Sequence, residues 1–114
     1  MRYMLIHTAD PDVAAEWDES ENWASFSSWL EETVRSGVNL QGSRLRPTAD
    51  ATTVRTTDGK PQVLDGPYAD SKEQLGGYFL IDVPDLDAAI SWAARCPAAG
   101  HGAVEVRPIW VMQP

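Results

Sequence analysis

Two histidines set what proton chemistry this 114-residue chain can do. His7 and His101 are its only histidines, and imidazole is the side chain that exchanges a proton near neutral pH without help from its surroundings. A general acid or base is expected at one of them, or at a carboxylate whose environment keeps it protonated. His101 stands between Gly100 and Gly102, in a loop from which a ring can reach into a cleft. Asp65 heads the turn Asp65-Gly66-Pro67, where it could orient such a ring, so an Asp65–His101 pair is the simplest proton-transfer unit on offer. The plainer alternative has Asp65 accepting backbone hydrogen bonds in its own turn and His101 capping a strand or helix end.

The binding candidates follow from their neighbours. His7 alternates with Tyr3 and Leu5, a pattern that suits either a ligand contact or a satisfied buried histidine. Glu105 and Arg107 share one face of a strand, and would pair with Lys72 and Glu73, across a dimer, or with a ligand. Lys72 or Arg107 is the expected holder of an anionic substrate group. Cys96 is the single cysteine, so no internal disulfide and no cysteine cluster is available; it precedes Pro97 at a helix end and reads as a packing residue. Two histidines far apart in sequence are a weak metal signal, and neither a metal nor another cofactor is expected.

Composition narrows the function classes. A net charge of −8, with nine scattered basic residues, repels phosphate backbones and argues against direct nucleic-acid binding. The apolar run Tyr78–Ile81 is far short of the ~20 residues that cross a bilayer. The opening Met1-Arg2-Tyr3-Met4-Leu5-Ile6 is cut off by His7, Asp10 and Asp12, which is no signal peptide. A cytoplasmic protein with no membrane contact is expected. The length suits one domain over residues 1–114, and 43% hydrophobic residues with five tryptophans supply a packed core.

These side chains must be positioned by alternating strands and helices. Tyr3–His7 reads as a strand, and Asp18-Glu19-Ser20-Glu21 as the cap of a helix carrying Trp23, Phe26, Leu30 and Val34 to a stop at Gly37. Leu40–Leu45 reads as a second strand, ended by Arg46-Pro47-Thr48. Thr52–Thr56 and Gln62–Leu64 flank an Asp58-Gly59 hairpin turn. Gly76-Gly77 introduces a strand over Tyr78–Val83, Asp85 caps a helix with Leu86, Ala89, Ile90 and Ala93 on one face, and Pro97 ends it. The last strand is expected over Ala103–Val111, at an edge or bent, because Pro108 cannot donate to a ladder.

The order β-α-β, hairpin, β-α-β implies an α+β, ferredoxin-like βαββαβ domain with an inserted β-hairpin, its antiparallel sheet covered by helices on one side. Met4, Ile6, Phe79, Ile81, Val104 and Val106 are assigned to the helix side. Tyr3, Leu5, His7, Tyr78, Leu80, Glu105 and Arg107 would then form a bare face, which a homodimer would hide. Trp23 and Trp29 are read as packing residues, and Trp110 as cover for the dimer seam.

Several linked segments carry a resemblance. Asp65-Gly66-Pro67-Tyr68, Ser71-Lys72-Glu73-Gln74-Leu75-Gly76-Gly77-Tyr78, Ala93-Ala94-Arg95-Cys96-Pro97-Ala98-Ala99 and His101-Gly102-Ala103-Val104-Glu105-Val106-Arg107-Pro108 make the chain resemble the YCII-related family, in its DGPF-motif branch. The match runs from Tyr3 to Trp110. Tyr68 stands where the motif has phenylalanine, adding a hydroxyl to an otherwise aromatic position, and Gly100 stands where a basic residue usually precedes the His-Gly pair. The resemblance implies a dimeric α/β barrel with a cleft between sheet and loops, and acid–base chemistry on small organic molecules; the residues themselves suggest a lyase or isomerase type, with His101 as base or acid and Asp65 as its orienter. It also implies a setting beside extracytoplasmic-function sigma factors, where the alternative is a non-catalytic ligand-binding or regulatory module. Fold-level analogy assigns neither.

Overall fold

The computed structural model describes residues 1–19, 23–68 and 71–112. In chain order it contains β1 (Arg2–Ala9), α1 (Pro11–Glu19), α2 (Trp23–Arg35), β2 (Asn39–Arg44), β3 (Thr52–Thr57), β4 (Lys60–Asp65), β5 (Gln74–Asp82), α3 (Leu86–Arg95) and β6 (Ala103–Pro108). Single 3-10 turns occupy Thr48–Asp50 and Pro97–Gly100. Four strands form one antiparallel sheet in the order β2-β5-β1-β6, while β3 and β4 pair with each other in a second sheet. The architecture is α+β with antiparallel sheets and three helices, compatible with a ferredoxin-like fold.

The helical region differs from its expected form. It begins at Pro11, eight residues before the expected start, because Asp10 caps it: its side chain accepts from the Asp12 amide at 2.9 Å, and Pro11 needs no partner for its nitrogen at a first helical position. Asp18 and Glu19 therefore lie inside α1, and the rest of the expected cap, Ser20 and Glu21, falls outside the described residues. On α2 the buried positions are Trp29 and Thr33, with Phe26 and Leu30 packed beside them, whereas Val34 is exposed. On α3 the core face centres on Ala89 and Ala93, and Leu86 and Ile90 turn outward. Small residues there let the helix lie close to the sheet. Asp85 caps α3 as its sequence predicts, accepting from Ala88 N at 2.9 Å. Two contacts clamp α2 to α3: Trp29 Nε1 donates to the Trp92 carbonyl at 3.0 Å, and Arg95 meets Glu32 at 2.8 Å.

The register of β1 corrects the face assignment. Tyr3 stands opposite Ile81 and Pro108, and Leu5 opposite Phe79 and Val106. Residues directly opposite in an antiparallel pair share a face, so Tyr3, Leu5 and His7 belong with the helix-covered residues of β5 and β6. Tyr3 (2% exposed), Leu5 (1%) and Ile81 (0%) form the centre of the core. The bare face instead carries Met4 and Ile6 with Tyr78, Leu80, Glu105 and Arg107. Both faces of β1 are apolar, so its own pattern was symmetric; its cross-strand partners decide which side is buried.

The other strands agree closely with their patterns. The β3–β4 hairpin turns at Asp58-Gly59, both at positive φ, as a two-residue turn requires. β5 starts at Gln74 and so incorporates Gly76 and Gly77. β6 is an edge strand and stops at Pro108, three residues short of the expected end. The tail beyond it exposes Trp110, Val111 and Met112.

Candidate active site

The covered face of β1 points His7 into the space beneath the helices, and two local irregularities shape that spot. The β1–β5 pairing slips between His7 and Thr8, where His7 faces Gly77 and Thr8 faces Leu75. Such bulges re-aim a side chain. The residue skipped is Gly76, on which a Cβ would stand 3.3 Å from His7 Nδ1. Across the sheet, the 3-10 turn Pro97–Gly100 delivers the chain to His101, and Gly102 then passes so near β1 that an added Cβ would meet the Thr8 carbonyl oxygen at 2.2 Å. That close passage sets His101 against His7. Their ring centroids are 5.1 Å apart at an interplanar angle of 77°, edge to face, and His7 Nε2 and His101 Nδ1 are both shielded from solvent.

The two rings line a cavity of about 210 Å³ between sheet and helices. Its floor is Leu5, Gly77, Phe79 and Val104; α1 contributes Pro11, Ala14 and Ala15; α2 contributes Trp23, Phe26 and Trp29. The aromatic rings touch one another, Trp29 edge-on to Phe79 at 5.2 Å and Phe26 against Phe79 at 5.8 Å. The segment Ser43–Thr48 and Gln74 and Leu75 complete the lining. A cavity on the order of 150 Å³ accepts a benzene ring, so this one suits a small, largely apolar molecule with a few polar atoms.

Two arginines stand at the wall of this cavity. The chain carries 17 acidic residues, yet no aspartate or glutamate is among the described lining residues, which include Arg44 and Arg46 beside the histidines. The Arg44 guanidinium stacks over Trp23, 4.4 Å from the ring centroid, and Arg46 pairs with Asp50 at 3.1 Å. Cys96 also lines the cavity; burial pushes its thiol up, partly offset by the Ala98 and Ala99 amides, which keeps it neutral and a poor nucleophile.

Of the residues singled out from the sequence, the fold brings His7 and His101 together. Asp65 ends β4, exposed on the separate hairpin sheet, and is not among the cavity's lining residues. Tyr68 lines a shallower depression of about 550 Å³ that shares Leu45–Thr48, Gln74 and Leu75 with the cavity, and Arg55 lies over its ring at 5.3 Å. Lys72 is exposed and lines neither space. Glu105 and Arg107 form an ion pair with each other on the bare face of the sheet, facing away from the histidines. The residues missed were Arg44 and Arg46. Their signal was present: two arginines flank Leu45 at the end of a strand in an otherwise acidic chain.

Two further observations complete the picture. Among the described residues, no group of three or more His, Cys, Asp or Glu could hold a metal, and no helix is long and apolar enough to cross a membrane. An uncharacterised protein of Rhizobium meliloti (strain 1021) is 34% identical to the chain, the match covering 100% of this chain and 96% of the relative. The family model for the YCII-related domain matches residues 1–113, so the covered sheet, the paired histidines and the cavity between them belong to a member of the YCII-related family.

Proposed function

We propose that the cavity is the site of proton-transfer chemistry on a small organic molecule, of lyase or isomerase type, with His7 and His101 as the working pair. The observation that carries this is the edge-to-face contact of the chain's only two histidines inside an apolar cavity. At that separation both rings reach the same bound molecule. One ring then takes a proton from the substrate as the other returns one, and the substrate is rearranged without net oxidation or reduction. Within a single chain His7 is the neighbour of His101, the part first given to Asp65.

The segments from Asp65-Gly66-Pro67-Tyr68 to His101-Gly102 support placing the chain in the DGPF-motif branch of the family. The bare face with Met4, Ile6, Tyr78 and Leu80 supports a homodimer that hides it, the two sheets closing a barrel.

The test is solvent deuterium exchange. Small cyclic keto acids and lactones are incubated with the protein in D2O and followed by NMR. Deuterium should enter the carbon acid faster than in the protein-free control. His101→Ala and His7→Ala should each slow entry by about 10²-fold or more, the usual size of an acid–base contribution, with little change in melting temperature. Exchange equal in His101→Ala and wild type refutes the reading, and ligand binding without exchange identifies a binding module instead.

A further inference from the structure

We propose that the β3–β4 hairpin is an arm that clasps a second copy of the chain, laying its Val54–Val63 face on the bare sheet face of that copy. This deepens the two-chain reading of the bare face and rests on it.

The hairpin has little of its own to lie on. Among the described residues β3 and β4 pair only with each other, and every residue of the two strands except Thr53 is exposed. A two-stranded ribbon alone in water is marginally stable and needs a surface to cover one of its faces. Residues directly opposite share a face, so the register divides the ribbon into two sides. The side with Thr53 and Arg55 is tied to its own chain: Thr53 Oγ1 donates to the Gly66 carbonyl at 2.8 Å, and Arg55 lies over the Tyr68 ring. The other side carries Thr52, Val54, Thr56, Pro61 and Val63, with Val54 61% and Val63 66% exposed.

The dimensions of the molecule point to a second copy as the cover. It measures 46 × 45 × 19 Å, and its radius of gyration of 15.9 Å exceeds the roughly 13 Å of a compact chain this long. It exposes 8011 Å², where a compact monomer of this mass exposes about 6200 Å². The surplus, roughly 1800 Å² per chain, falls within the roughly 1000–2500 Å² that each chain of an obligate homodimer hides. A second copy also brings the matching surface, Met4, Ile6, Tyr78 and Leu80 on its bare face. Six residues of strand reach about 20 Å, enough to cross the roughly 15 Å between the outer strands of a four-stranded sheet. Charge agrees with this. Residues 52–64 hold Arg55 and Lys60 against Asp58, a net charge of +1 within a chain of −8, so a second acidic copy attracts the arm while it repels the molecule as a whole.

The test has two parts, both on the full chain. In sedimentation over a dilution series, Val54→Asp and Val63→Asp should each raise the dissociation constant of the two-chain particle by about 10-fold or more. Both valines are exposed within a single chain, so neither change should disturb its fold. Gln62→Asp adds the same charge on the tied side and should change the constant by no more than about threefold. In the second part, spin-labelled Gln62→Cys chains are mixed with isotope-labelled wild-type chains, so that any NMR broadening of the latter arises between copies. Cys96 is buried and takes no label. Broadening should concentrate on Met4, Ile6 and Leu80 and spare Leu86 and Ile90 on the outer side of α3. A two-chain particle as indifferent to Val54→Asp and Val63→Asp as to Gln62→Asp overturns the arm and leaves the dimer standing. Broadening on α3 in place of the bare face does the same. A wild-type chain that sediments singly at micromolar concentration overturns both the arm and the two-chain reading beneath it.

Discussion

Gly102 is where the approach of the His101 loop to β1 can be tested most directly. An alanine Cβ there would lie 2.2 Å from the Thr8 carbonyl oxygen, 2.9 Å from Ala9 Cβ and 3.2 Å from Ala9 Cα. Two of those three atoms are backbone of the central strand, so no side-chain rotation relieves the clash. Roughly 1 Å of separation must open between β1 and the start of β6, at the Thr8–Ala103 pair. Overpacking of this kind costs about 1–3 kcal/mol, and the rigid partners put Gly102→Ala at or above the upper figure. With an unfolding entropy of about 2.1 cal/mol/K per residue, roughly 3 kcal/mol lowers the melting temperature of a domain this size by about 12 °C. Gly100, on the other side of His101, is the control. Nothing lies within 4 Å of its Cβ position and its φ is negative, so Gly100→Ala should be neutral or stabilise by up to about 1 kcal/mol. Urea and thermal unfolding of the two variants, with NMR of the histidine Hε1 protons, read both stability and ring position. Equal stability of Gly102→Ala and Gly100→Ala, with unshifted His101 signals, would refute the close passage as the cause of the histidine contact.

Other outcomes follow from the same structure. Leu5→Ala removes a fully buried side chain from the cavity floor and should cost about 2–5 kcal/mol in urea unfolding, while enlarging the space beside His7. The Cys96 thiol is raised by burial, so the folded state holds its proton to higher pH than the unfolded state does. Its contribution to stability is therefore whole below the ordinary thiol range and is lost as pH rises through that range toward the folded value. Denaturation at pH 7 and pH 10 should show a larger loss for wild type than for Cys96→Ala, and identical losses would remove this account. Sedimentation should find two chains per particle at micromolar concentration, and Ile6→Lys, in the middle of the bare face, should shift the population to single chains. A wild-type particle of one chain at those concentrations would dispose of the dimer.

Much of the framework was legible in local chemistry. The Asp85 cap, the Asp58-Gly59 turn, the stop at Gly37 and the edge position forced by Pro108 each act over a few residues, so they are readable without knowing the fold. The residue types able to move a proton were legible for the same reason, because only two histidines exist to choose from.

What the tertiary structure decided is which of these residues meet. Tyr3, Leu5 and His7 point into the core because of their partners Ile81, Phe79 and Val106, an interaction across more than 70 residues of chain that the alternation of β1 could not encode. With that face turned inward, His7 passes from a bare surface to a cavity wall and becomes the neighbour of His101, while Asp65 ends on a separate hairpin. Arg44 and Arg46 reach the cavity wall in the same way, through the pairing of β2 with β5, which no local pattern specifies. Strand pattern restricts a side chain to one of two faces; register, set by long-range pairing, selects between them, and the site follows from that selection.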